Sequence, residues 1–267
     1  MSEQKHRKKL NAEQLEVLEL LYRFRFGSND LIARYFGKKD RSFVFKRLSI
    51  LLEQDLIGKR FDSSYRIQGK PAAYYLTPAG ARVLQERRKP DEDAINIKAI
   101  YKDKTVKDDF VRHCLDIFAI YNRLKAQYGD RLKLFTKANL NYERFDYFPH
   151  PLPDAYIRLR LDGEDKQFFL DVYYDGQPFF AAVRKIKKYA DYAEGGEWEE
   201  TGTELPKVLA VCESSSLQKR LQKRMVSLGD EELIFALTTK ARLLGEEARV
   251  WHSAADPDEA VTLQATQ

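Results

Sequence analysis

Cysteine is scarce in this sequence: Cys114 and Cys212 stand alone among 267 residues. With no CxxC pair, neither a zinc site nor a disulfide framework is signalled. The four histidines, His6, His113, His150 and His252, are scattered, so a His-hydrophobic-His relaxase motif is missing. No GxxxxGK[ST] loop is present, which argues against an ATPase or helicase. No GxGxxG follows a strand-like run. No apolar run approaches the roughly 18 residues needed to span a bilayer. The basic residues 1–9 lead into an amphipathic helix, not an apolar signal core. These absences set an expectation of a cytoplasmic protein with reduced thiols and no membrane partner.

What is present is charge, unevenly spread. Charged residues make up 33% of the chain and hydrophobic ones 43%, enough for ordinary cores. The length suggests two domains. Residues 1–89 hold 20 Lys and Arg against 10 Asp and Glu, while the remainder holds 26 against 31. A basic first domain joined to a mildly acidic second one points to a polyanion partner for the first.

The pattern over 8–89 is helix, turn, helix, helix, hairpin, helix. Asn11 caps residues 12–24, where Leu15, Val17, Leu18, Leu21 and Tyr22 form one apolar face. Ser28 or Asn29 caps 30–36, and Asp40 caps 41–54. Strands at 56–60 and 73–76 flank a polar segment at 62–71, and Thr77-Pro78 opens a closing helix. This is the order of a winged helix-turn-helix that binds double-stranded DNA. Arg41, Ser42, Lys46, Arg47 and Ser49 occupy the part of a recognition helix that reaches base edges or phosphates. Arg60, Arg66 and Lys70 would follow the backbone from the wing. Such binding requires no cofactor.

Residues 90–106 read as a linker and 246–267 as a weakly patterned tail. Residues 107–245 read as an α/β domain. A long helix is followed by strands at 132–136, 155–161 and 167–174, with Asp162-Gly163 as a hairpin turn. Then come a helix at 178–194, strands at 208–212 and 233–237, and helices at 217–228 and 239–244. Asp154 opens one strand and Asp171 lies mid-way along the next. That is the layout of the PD-(D/E)xK nuclease fold, in which two acids converge on one magnesium ion. The position two after the second acid normally holds lysine; here it is Tyr173, which is neutral near pH 7. Arg184, Lys185, Lys187 or Lys188 of the following helix could substitute, and Lys187 is taken as the candidate. Cys212, in an apolar strand, reads as core rather than nucleophile.

The run "YYLTPAG", a linker, "PDA" at 153–155 and "FLDVYYDG…KIKKYADY" together resemble the replication-relaxation family of plasmids and integrative elements. The resemblance covers roughly residues 10–225, and its more specific parts are PDA and the KxxKY helix. The family's usual acid-x-acid appears here as Asp171-Val172-Tyr173. The resemblance implies an accessory role in plasmid or conjugative-element replication, binding an origin or relaxosome, with relaxase or replication proteins as partners. A homodimer suits a palindromic site, although no heptad repeat supports one. The alternatives are a winged-helix transcriptional regulator and a magnesium-dependent nicking endonuclease with Asp154, Asp171 and Lys187 at its centre.

Overall fold

The structure is a computed structural model that describes residues 9–89, 94–140, 145–161, 163–229, 232–245, 250–256, 259, 261 and 263. Contacts divide the chain into Met1–Asn122 and Arg123–Gln267.

In the first unit, α1 (Ala12–Phe24) starts at a capping box. The Asn11 side chain accepts from the Gln14 amide at 2.9 Å, and the Gln14 side chain accepts from the Asn11 amide at 3.0 Å. Its inner face is Val17, Leu18, Leu20, Leu21 and Phe24, with Phe24 stacked on Phe118 at 4.4 Å. After β1 (Phe26–Gly27), Ser28 caps α2 (Asn29–Tyr35). Next comes α3 (Ser42–Glu53), whose Val44, Leu48 and Leu51 point inward. Then follow β2 (Ile57–Arg60), α4 (Ser63–Ile67), β3 (Ala73–Leu76) and α5 (Pro78–Gln85). The sheet runs β1-β3-β2, antiparallel throughout. Three helices, a hairpin wing and a closing helix make this a winged helix.

Three elements here differ from the sequence pattern. β1 falls where the pattern places the first turn, because two residues are too few to show a period. The wing segment forms α4, nucleated when the Asp62 carboxylate accepts from the Ser64 amide at 2.8 Å and the Tyr65 amide at 3.2 Å. Within the span read as linker lies α6 (Ile97–Tyr101), followed by a 3₁₀ turn at Lys102–Lys104. Residues 90–93 of that span are outside the described residues. The long helix α7 (Asp108–Tyr128) contains the boundary between the units, whereas the sequence pattern opened the second domain at 107. Val111 and Cys114 of α7 share a core with Phe26 and Ala73, which ties its first half to the winged helix.

The second unit is a six-stranded mixed sheet with strands in sequence order. β4 (Leu132–Thr136), β5 (Ala155–Leu161) and β6 (Glu164–Tyr173) form an antiparallel meander. The turn signal at Asp162 is outside the described residues, but Gly163 takes φ 86° as a hairpin turn requires. The chain then crosses through α8 (Phe179–Gly195) to β7 (Lys207–Cys212), parallel to β6. A second crossover, α9 (Ser215–Val226), leads to β8 (Phe235–Thr239), parallel to β7. Thr239 caps α10 (Lys240–Leu244), and β9 (His252–Ser253) pairs antiparallel with β8. β8 begins two residues later than its apolar run suggested, and β9 comes from the segment read as a tail; residues 246–249 are outside the described residues. One core is built around Phe148, Tyr156, Phe169 and Trp198, with Phe169 edge-on to Trp198 at 5.6 Å. The chain is thus a winged helix followed by an α/β domain of restriction-endonuclease-like layout.

Gly80 offers a test of the α5 packing. Alanine in a helix usually stabilises by about 0.5–1 kcal/mol relative to glycine. Here an added Cβ would overlap the Leu56 carbonyl oxygen and lie 2.8 Å from the Leu76 side chain. Gly80→Ala should therefore lower the urea midpoint, by about 1–3 kcal/mol of stability. A raised midpoint would show that α5 does not press on the wing strands.

Candidate nucleic-acid interface and acidic centre

The expected DNA-binding residues separate into two groups. Lys46 and Arg66 are exposed, on α3 and on α4 of the wing, and neither forms an ion pair among the described residues. Arg41 is 70% exposed and pairs with Asp30 at 2.7 Å, a surface contact that phosphate could displace. Ser42 is exposed at the start of α3, its amide and hydroxyl bonded to Asp40. Ser49 is half-buried. Lys70 is 47% exposed and lies 3.9 Å from Asp108. Lys38, Lys39 and Lys59, which the sequence pattern did not single out, are also exposed around these elements.

Arg47 and Arg60 correct the expectation. Arg47 lies 3.3 Å over the centre of the Phe43 ring, donates to the Phe43 carbonyl at 2.9 Å and pairs with Glu13. It is one position before buried Leu48, on the margin of the inner face, so it braces α3 against α1. Arg60 donates to the Val106 carbonyl and to Asp108 at 2.7 Å. Tyr65 donates to the same carboxylate at 2.8 Å, so Asp108 at the start of α7 anchors the wing.

In the second unit the β5–β6 register brings Asp154 and Asp171 together. Ala155 lies opposite Leu170, and the Asp154 amide donates to Asp171 Oδ1 at 3.0 Å. Both carboxylates are buried, at 7% and 1% exposure. The Val172 amide donates to Asp154 Oδ2 at 2.9 Å. Lys185 of α8 reaches Asp171 Oδ1 at 2.6 Å and Asp154 Oδ1 at 3.6 Å. Lys137, just after β4, reaches Asp154 Oδ1 at 2.8 Å. The Tyr189 and Tyr173 hydroxyls donate to Asp171 Oδ2 at 2.9 and 3.4 Å.

The lysine that arrives is Lys185, not Lys187. Lys185 and Tyr189 are four residues apart and share a helical face, whereas Lys187 is rotated by roughly 200° and is exposed. PDA and KxxKY therefore meet at one place: Asp154 from the first, Lys185 and Tyr189 from the second. Burial would lower the Lys185 pKa, but Asp171 and Asp154 outweigh it and the net direction is upward. Burial, reinforced by Asp171, pushes the Tyr173 and Tyr189 hydroxyls well above their ordinary range, so both are neutral donors. Cys212 is fully buried, its thiol pushed up to about 12 by burial and then by Asp175, which makes it inert.

The residues do not fit a magnesium ion as arranged. Magnesium needs several oxygen donors in near-octahedral geometry. Here both Asp171 oxygens hold protein donors, and Lys137 and Lys185 together balance the charge of the two carboxylates. A cation would have to displace two ammonium groups. Among the described residues no group of three His, Cys, Asp or Glu side chains is placed to hold a metal.

Fold and site together define a protein in which a winged helix is joined to an α/β domain of nuclease-like layout, its two buried acids held by lysines. The chain belongs to the replication-relaxation family, whose sequence model matches residues 18–208. That membership gives it a DNA-related role in replication or relaxation. Among curated proteins none matches. ZitR from Lactococcus lactis aligns over 48% of this chain and 82% of its own, at 20% identity and a TM-score of 0.27. Restriction endonuclease FokI aligns over 87% of this chain and 42% of its own, at 12% identity and a TM-score of 0.34. No helix is long and apolar enough to cross a membrane among the described residues.

Removing one partner from a buried charge cluster leaves the others uncompensated. Lys185→Met should cost about 3 kcal/mol or more in urea unfolding, and Lys187→Met at most about 0.5. The raised Lys185 pKa contributes stability that is fully present below its unfolded value of about 10.5 and is lost as pH rises through the folded one. Wild type should therefore lose stability above that pH more steeply than Lys185→Met. Equal costs for the two variants would remove Lys185 from the centre.

Proposed function

We propose that this protein is a sequence-preferring double-stranded DNA-binding accessory of plasmid or conjugative-element replication or relaxation. The observation that carries this reading is the set of exposed cations at the start of α3, on α3 and on the wing, Arg41, Lys46, Arg66 and Lys70, with Lys38, Lys39 and Lys59 beside them. Cations at these positions suit a helix laid in the major groove and a wing against the backbone. The family supplies the replication context. In this reading relaxase or replication proteins are the partners, and binding uses no metal or other cofactor.

Hydrolysis is not part of the proposal, because the carboxylates that a nuclease would use are bonded to Lys137 and Lys185. The second unit then serves to hold DNA or a partner, with its acidic centre as a structural lattice.

Selection of bound fragments from a random DNA pool, followed by titration of the enriched duplex, tests this. Lys46→Ala should weaken binding to that duplex by about 1–3 kcal/mol if it reads a base. Arg66→Ala should weaken all sequences alike and lower the salt slope by about 1. Arg47→Ala should act mainly on thermal stability. No enrichment, or unchanged affinity for both DNA-facing variants, would sink the reading. Magnesium-dependent nicking of the selected duplex that Asp171→Asn abolishes would replace it with an enzyme.

A further inference from the structure

The second unit carries a cation cluster separate from the acidic centre. A half-open groove of about 430 Å³ is lined by Arg131, Lys133, Arg158 and Arg160, with Asp130 and Asp165. Strand register explains the grouping. Lys133 of β4 lies directly opposite Arg158 of β5. Arg160 is two residues further along β5 and so shares that face. Leu132 lies opposite Leu159, which brings Arg131 alongside Arg160.

Like charges directly opposite each other destabilise an antiparallel pair. The acids relieve this only in part. Asp165 pairs with Arg158 at 2.6 Å, and Asp130 is engaged by Lys125 at 2.7 Å. Arg131, Lys133 and Arg160 are exposed and form no ion pair among the described residues. Arg131 Nε donates to the Tyr128 carbonyl at 3.4 Å, a weak bond.

A guard against edge pairing accounts for only one of these residues. β4 is an edge strand, where lysine is a common deterrent. Arg158 and Arg160 are on β5, which is paired on both sides. Their repulsion serves no such purpose. The cluster is also distinct from the acidic centre, since Arg158 and Arg160 are four and six residues beyond Asp154, roughly 13 and 20 Å along the strand.

We infer that this groove binds the phosphodiester backbone of nucleic acid, a second contact besides the winged helix. Guanidinium forks match phosphate oxygens in pairs, and lysine adds a point charge. Contacts to backbone alone are independent of sequence. The inference rests on the DNA-binding reading for its choice of ligand.

The full chain should be titrated with a fluorescent duplex of about 40 base pairs at several salt concentrations, a length ample for the winged helix's own site. The double variant Lys133→Gln with Arg160→Gln is compared with Lys46→Ala with Arg66→Ala. The first should bind roughly tenfold more weakly, with the salt slope reduced by about 2. Its thermal midpoint should be unchanged or higher, because repulsion has been removed. Unchanged affinity and slope, with normal weakening in the second variant, would overturn the inference and leave the DNA-binding reading intact. Weakening only in the first would support the groove and reject the winged-helix reading. Displacement of the duplex from the groove by millimolar inorganic phosphate, or equal affinity for polyglutamate, would reassign the groove to a small anion or an acidic protein.

Discussion

Two carboxylates held out of water on one β-hairpin set the terms for the second half of this molecule. An isolated buried charge is costly, and two of the same sign on adjacent strands are more so. Asp154 and Asp171 are retained because donors arrive from three elements. The hairpin's own amides, Lys137 after β4, Lys185 from α8 and the Tyr173 and Tyr189 hydroxyls all converge. Each bond also fixes an element. Lys185 and Tyr189 set the rotation of α8 over the sheet, and Lys137 pins the segment that follows β4. The cluster is a fastener as well as a charge balance, and its substitution by apolar residues of similar volume could be neutral, whereas loss of one member is not.

The same economy of charge runs through the winged helix. Its cations fall into those that hold the fold and those that remain available. Arg25, at a backbone φ of 67° that non-glycine residues seldom adopt, is bonded to buried Asp103 and to the Ala99 carbonyl at 3.2 Å. Arg47 holds α3 to α1, and Arg60 holds the wing to α7. A count of basic residues therefore overstates the number available to a polyanion. What survives is the set on α3, on the turn before it and on the wing.

This division marks where the sequence was legible and where it was not. Helices with caps and a period could be read closely: Asn11, Ser28 and Thr77 each bond the amide that their position implies. In the second unit the strand and helix runs and the β5–β6 hairpin followed from apolar runs and turn residues, whereas the parallel pairing of β6, β7 and β8 did not. Short elements were opaque, since β1, α4 and α6 present one or two buried side chains each and no period. At the sites, residue type was informative but direction was not. Arg47 and Lys46 are neighbours with opposite roles, because a step of 100° on a helix moves a side chain from solvent to the edge of the core. Lys185 and Lys187 differ for the same reason. The KxxKY spacing carried the signal, since only its first lysine and its tyrosine share a face with buried Ile186 nearby and Asp171 beneath.

Tyr173 connects these threads. In a strand, a residue two positions after Asp171 points to the same side. A lysine there would bring charge to the acids from within β6 itself. Tyrosine brings a neutral hydroxyl instead, at 3.4 Å, and leaves the pair short of positive charge. The deficit must be met from another element, and α8 meets it with Lys185 while Lys137 adds a second ammonium. One ammonium would have left a net negative pair able to attract a divalent ion. Two bring the cluster to neutrality, and a neutral, hydrogen-bonded centre has little electrostatic pull on any cation. The change at 173 and the arrival of a second lysine thus act in one direction, toward a pair of acids satisfied by the protein's own donors.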